Sequence, residues 1–367
     1  MSIEWKIPRA QLMVFFNQML RSRTDFQVLI PYTETPLLTI SLQPGKARAH
    51  LVLGRKAYQK ECGITPGRSG FSETPPFDVI KETLIQSGIL EYPNLSQFLK
   101  ELHHFTRQGF QQSRRPLCLA LDTNLLRDRF YTTQQGWISH LPQNQVGFVV
   151  SPHIKMELNF TKTKYREKHL SYFRKQMAAK AFQKYISRFN NQNCLEDRRR
   201  RLGFLEFEKM RQKQWLIELP TLDEDELQGS GDNNIILNYR QAVEEQQIDI
   251  LLLSRDSDFI AQAEGIAGIH PFRLQTPANP VSQIDIGNWE QLSQFLYCLT
   301  ITYGMIAILQ DKTLIHLMGI WSGKLPGDWK REELLIFMDE EESAHLAIMR
   351  QLQILKEMDL EHELVFA

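Results

Sequence analysis

Acidic residues recur where the chain's short apolar runs end. Asp122 follows LCLAL (117–121), and Glu157 lies in a helical stretch after VGFVV (146–150). Asp232 opens GDNNIILNYRQAV between WLIEL (215–219) and DILLLS (249–254), and Asp256 and Asp258 follow DILLLS directly. Singly, each has a plain structural reading. Asp122 and Asp232 stand where helix N-caps are wanted, Glu157 suits a solvated helix face, and Asp256 and Asp258 suit a turn. As a set they imply chemistry, because clustered carboxylates cannot all stay ionised in a crevice without a cation. Oxygen donors without a Cys or His among them favour Mg²⁺ or Mn²⁺ over zinc. Asp122, Asp232 and Asp256 are the expected metal ligands, with Glu157 and Asp258 completing the catalytic set. His153, in a turn after Pro152, is left out.

A parallel sheet must bring these acids together. Continuous Val/Leu/Ile runs separated by helical patterns predict an α/β fold whose parallel sheet is covered by helices on both faces. Ligands of such sheets bind beyond the carboxyl ends of the strands, where all five acids stand. Residues 113–280 are the expected α/β domain. Residues 1–112 are predicted to be a separate N-terminal α+β module. Its helices fall over Arg9–Arg21, Phe77–Gly88 and Leu95–Phe110, and its strands at Phe26–Ile30, Leu37–Leu42 and Ala49–Leu53. Residues 281–367 are predicted to be a helical region, with helices over Trp289–Gln310, Lys312–Trp321 and Glu341–Met358.

The blocks LALDTN, a helical Glu after a Ser-Pro turn, G-D-x-x-I and LLLSRDSDF resemble, in that order, the motifs of the PIN-domain nuclease family. The resemblance covers about residues 115 to 275 and implies a PIN-like sheet that binds one or two divalent ions and hydrolyses RNA, or DNA in the flap-nuclease branch. Carried over residue by residue, the acids are Asp122, Glu157, Asp232 and Asp256, with Asp258 auxiliary. Asn124 and Ser254 match positions that hydrogen-bond near the metal or fix the loop. The family frequency favours single-stranded RNA, cut to leave 5′-phosphate and 3′-hydroxyl ends. The alternatives are a flap-type DNA nuclease and an inactive PIN-like scaffold that holds RNA or a protein. Compact PIN domains carry a short helical pair between Glu157 and Asp232, whereas this chain carries a long basic insertion (about 160–214), which also makes Glu167 an alternative to Glu157.

That insertion interleaves Lys and Arg with aromatics. Cations neutralise phosphates and aromatic faces stack unpaired bases, so the composition suits single-stranded nucleic acid. Lys175, Lys184 and the run Arg198, Arg199, Arg200, Arg201 are the expected phosphate contacts. The aromatics, Phe182 and Phe189 among them, are expected to pack inward.

Composition narrows the classes further. Apolar and charged fractions of 42% and 23% belong to an ordinary globular protein, and 43 basic residues balance 43 acidic ones. The four cysteines form no C-x-x-C pair, which argues against a zinc knuckle or a disulfide framework and suits a reducing cytoplasm. The start MSIEWKIPRAQLMVFF does not read as a signal peptide. The longest apolar stretch, Phe295–Leu309, is too short to span a bilayer comfortably. No membrane partner is expected, and the terminal regions are where a second copy or an inhibitor protein would attach. A dehalogenase-type phosphatase would need an acid at position 124, which is Asn, and a Toprim enzyme would need a Glu at the end of its first strand.

Overall fold

The structure, a computed structural model, describes residues 3–13, 25–64, 73–111, 115–142, 145–159, 164–222, 231–280, 282–310, 313–338 and 350. In chain order the strands are β1 (Ile3–Pro8), β2 (Asp25–Leu29), β3 (Leu38–Gln43), β4 (Lys46–Leu51), β5 (Leu117–Leu121), β6 (Val146–Val150), β7 (Leu216–Glu218), β8 (Asp249–Ser254), β9 (Ile269–Arg273), β10 (Gln283–Ile286), β11 (Met305–Gln310), β12 (Thr313–Met318) and β13 (Glu333–Met338). They belong to two units. One comprises Leu90–Thr161 and Arg199–Ala278, the other Met1–Ile89, Lys162–Arg198 and Asn279–Ala367.

The first unit holds a parallel sheet in the order β7-β6-β5-β8-β9. Every residue of β5 and β6 is buried, as is β8 from Ile250 to Ser254. Unbroken apolar sequence is what a strand covered on both faces requires. Counting from β5, the chain moves outward through β6 to β7, returns to β8 on the other side of β5, and ends at β9. The strand order therefore reverses between β5 and β8. Helix Pro152–Leu158 begins with proline at its first position, and the Ser151 hydroxyl accepts the His153 N–H at 3.3 Å. Helix Leu95–Gln111 also belongs to this unit, which moves the predicted boundary at 112 back to about residue 90. Contacts within the unit explain the change. Asn94 donates to the Arg273 carbonyl and accepts from the Gln275 N–H, both at 2.8 Å, while the Phe98 ring packs edge-on against Phe272 and Trp137.

The second unit is an antiparallel sheet in the order β1-β13-β12-β11-β2-β3-β4-β10. β1 to β4 and β10 to β13, from the two ends of the described sequence, thus share one sheet. The predicted C-terminal helical region is corrected accordingly: helix Trp289–Tyr303 stops at Gly304, and the sequence continues as β11 and β12. Gly304 has φ +79°, and a Cβ there would lie 2.8 Å from a Phe189 ring carbon, so glycine is required. The predicted helix over Glu341–Met358 lies outside the described residues, as does that over Arg9–Arg21 beyond residue 13. Among the described residues no helix is long and apolar enough to cross a membrane.

The basic insertion is divided, with the unit boundary inside helix Leu195–Lys213 between Arg198 and Arg199. Phe173, Phe182, Tyr185 and Phe189 are buried in the second unit, as expected of core aromatics. Arg198 corrects its prediction as a phosphate contact. It is fully buried, and its guanidinium donates to the carbonyls of Ile301 (2.8 Å), Thr302 (2.9 Å) and Asn193 (2.9 Å) and to the Tyr165 hydroxyl (2.9 Å). Ile301 and Thr302 lie in the last turn of helix Trp289–Tyr303, whose carbonyls lack intrahelical donors and whose dipole favours a cation. Glu73, 4.0 Å away, supplies the counter-charge. Arg198→Gln removes both charge and fork, and is expected to lower unfolding free energy by about 3 kcal/mol in equilibrium urea titration. Lys175→Gln, on an exposed side chain, should change it by less than about 0.5 kcal/mol.

Candidate active site

The carboxyl ends of β5 and β8 flank the reversal of strand order, the crevice where open α/β sheets bind ligands. Asp122 occupies the N-cap position of helix Thr123–Arg127, yet its side chain makes no cap bond. It instead accepts from the Ser254 hydroxyl at 2.6 Å and from the Asn124 amide at 3.2 Å. Ser254 Oγ in turn accepts the Asp256 N–H at 2.9 Å. One hydroxyl therefore links the acids that follow the two strands. Asn124 and Ser254, expected as auxiliary residues, both bond to Asp122.

The other acids are held by their elements. Glu157, exposed on helix Pro152–Leu158, accepts from the Thr123 hydroxyl at 2.5 Å. Asp232 is half-buried in the first turn of helix Gly231–Glu245. A Cβ on the preceding Gly231 would lie 3.4 Å from Glu157 Oε1, so this helix begins close against Glu157. Asp256 is exposed and caps helix Ser257–Ala263, accepting the N–H groups of Asp258 (2.8 Å) and Phe259 (3.3 Å). Its capping reading is therefore satisfied, while that of Asp122 is not. Asp258 is exposed and accepts from the Ser257 hydroxyl at 3.4 Å. Glu167, the alternative acid, opens helix Glu167–Gln176 in the antiparallel unit.

Electrostatics tie four of the five acids together. Burial pushes the Asp122 carboxyl up to about 6. The Ser254 and Thr123 hydrogen bonds oppose that shift, and the negative charges of Glu157 and Asp232 add to it. Asp232 is raised by burial and then by Asp256. Mutual repulsion among carboxylates is what a divalent cation relieves. Among the described residues, no three His, Cys, Asp or Glu side chains stand close enough to enclose a metal ion. The donor set fits Mg²⁺ nonetheless, since that ion keeps several waters and takes only one or two carboxylates.

Two features escaped sequence reasoning. Tyr239 is fully buried two turns along the helix from Asp232; burial raises its phenol, as do the charges of Asp122 and Glu157. The seven-residue spacing, which puts both side chains on one helix face, was the available signal. Arg255, between the linked Ser254 and Asp256, lies 2.9 Å from the buried carboxylate of Asp128, which also accepts the Tyr92 hydroxyl at 2.8 Å. Nothing local in the sequence joins those three residues. Of the predicted phosphate contacts, Lys175 and Lys184 are exposed, and Arg199, Arg200 and Arg201 are half-buried with partners of their own.

No family model, curated protein or solved structure matches this chain.

The elevated Asp122 carboxyl makes stability depend on pH. Its folded pKa of about 6 lies above the unfolded value of roughly 3.9. The stability present below pH 4, where both states are protonated, is therefore lost as pH rises through 6. Asp122→Asn cannot ionise and avoids that loss. In chelator, the variant should gain about 2–3 kcal/mol relative to the wild type between pH 4 and pH 7, and nothing further above. Denaturant titrations across that range measure the gap. A constant difference would contradict a buried, repelled carboxylate at this position.

Proposed function

We propose that the carboxyl edge of the parallel sheet is a divalent-cation site at which a nucleic-acid phosphodiester is hydrolysed, most readily in single-stranded RNA. The observation that carries this reading is the chain Asp122–Ser254–Asp256, which links the acids following β5 and β8 across the reversal of strand order. Asp122, Asp232 and Asp256 would hold the ion, one or two of them directly and the rest through its bound waters, with Glu157 alongside through Thr123. A Mg²⁺ or Mn²⁺ ion bound there supplies charge for the phosphate oxygens and lowers the pKa of a bound water. The protein's own part is to hold these carboxylates in place and aim them. Ser254 and Asn124 orient Asp122, Asp256 is locked by the helix it caps, and Glu157 is positioned as a proton acceptor for water. The ordered PIN-like motifs support the same reading, as a resemblance. The products would carry 5′-phosphate and 3′-hydroxyl ends.

A second reading, a PIN-like scaffold that holds nucleic acid without cutting, draws on the absence of a closed triad of metal ligands among the described residues. One assay separates the two. Labelled single-stranded and duplex RNA and DNA are incubated with purified protein in Mg²⁺, Mn²⁺ or chelator. Metal-dependent cleavage is expected, with loss of at least about 100-fold in rate for Asp122→Asn. Millimolar metal should also raise the Tm of the wild type and leave that of the variant unchanged. Cleavage that persists in chelator, or at full rate in the variant, would overturn the proposal. A metal-induced Tm shift without cleavage would favour the scaffold.

A further inference from the structure

The antiparallel unit carries a concentrated field of cations with no counter-charge to match it. Lys164, Arg166, Lys168, Arg174, Lys175 and Lys180 are all exposed, and none has an acidic partner among the described residues. Glu167 is the one exposed acid between residues 164 and 188. The segment is nevertheless firmly seated. Lys164 bridges to Asn193, the Tyr165 N–H donates to the Gln192 carbonyl at 2.9 Å, and the Asn191 N–H donates to the Tyr165 carbonyl at 2.8 Å. Its aromatics form a buried layer. Phe173 and Phe189 pack at 4.6 Å between ring centroids, Tyr185 lies 4.7 Å from His316 of β12 and 4.9 Å from Phe337 of β13, and Phe182 lies 5.5 Å from His316. An apolar face committed to the core leaves the outer face to charge. Tyr172 is the exception, an aromatic 56% exposed on helix Glu167–Gln176. Lys168, Tyr172 and Lys175 stand at i, i+4 and i+7, on one helix face.

We infer that this segment is a surface for single-stranded nucleic acid, with the six cations on phosphates and Tyr172 as a stacking platform for a base. Exposed cations, two of them on the same helix face as an exposed aromatic, match the way single strands are held without sequence preference. A membrane-binding helix would turn Leu, Phe or Trp outward, whereas here Phe173, Phe182 and Phe189 are buried and Leu170 is half-buried. The inference concerns the antiparallel unit alone and does not depend on whether the parallel sheet's edge cleaves.

The test is fluorescence anisotropy of full-length protein with labelled oligo-U and oligo-dT, in chelator so that cleavage plays no part, across a series of salt concentrations. Replacing the six cations by Gln should weaken binding at least tenfold. It should flatten the slope of log K against log salt by roughly 0.7 for each phosphate no longer neutralised, so by up to about 4. Two triple variants (164, 166 and 168; 174, 175 and 180) serve if the sixfold variant does not fold, and each should give about half the flattening. Tyr172→Ala should weaken single-strand binding several-fold while Tyr172→Phe preserves it, and neither should alter affinity for duplex. Unchanged affinity and slope in the charge variants would overturn the surface. Duplex binding as tight as single-strand binding, with no effect of Tyr172→Ala, would overturn the single-strand assignment. Charge-dependent binding to phosphatidylserine vesicles with none to oligonucleotide would assign the surface to a membrane instead.

Discussion

Ser254 uses its one hydroxyl twice, donating to Asp122 and accepting from the Asp256 N–H. A buried carboxylate is tolerated only where donors reach it, so the ends of β5 and β8 have little freedom to slide past each other. The backbone agrees: the Asp122 N–H donates to the Leu253 carbonyl at 3.0 Å, continuing the ladder one residue beyond the strand. The turn Ser254–Arg255–Asp256 is held from its other side by Asp128, itself buried and bonded to Tyr92. This edge of the sheet is thus set by two buried aspartates with opposite surroundings. Asp128 faces a cation and a phenol, whereas Asp122 faces neutral donors and other acids.

That contrast shows how a fold can keep repelling acids together. Acids that repel one another destabilise the fold, and the cost is met by favourable contacts elsewhere in the same unit. In the same unit the carboxylate of Glu206, fully buried, accepts from the Thr132 backbone N–H at 2.8 Å and the Thr132 hydroxyl at 2.6 Å and pairs with Arg129. Arg129 adopts φ +59°, a left-handed conformation uncommon for arginine. The pairing with Glu206 gives it a reason to remain there.

How much of this was legible in the sequence follows from the range of the interactions involved. LCLAL, VGFVV and DILLLS could be read because a strand buried on both faces must be apolar throughout, and that signal is local. Asp122, Asp256 and Asp258 were legible because they stand directly after such strands. β9 was missed, since Pro271 interrupts the run IHPFR. The apolar stretch after Trp289 concealed a helix and a strand, because an unbroken apolar run has no period from which to tell them apart, and Gly304 was its only punctuation. Arg198 could not be distinguished from Arg199, Arg200 and Arg201 by composition. Its burial depends on carbonyls at Ile301 and Thr302, more than a hundred positions away.

The same long range governs the order in which the chain can become structured. Among the described residues β1 has only β13 as a sheet neighbour, and the rest of the antiparallel sheet likewise joins strands from both extremes of the described sequence. During synthesis β1 must wait for β13, far later in the chain, before their ladder can close. β2, β3 and β4 can pair as a meander as soon as they are made, but the edge of β2 that receives β11 stays open until much later. An open edge of that kind is a template for unintended pairing. The growing chain therefore carries an unfinished sheet until β11, β12 and β13 have been made, and holding factors that shield strand edges would matter to its yield more than to its final stability.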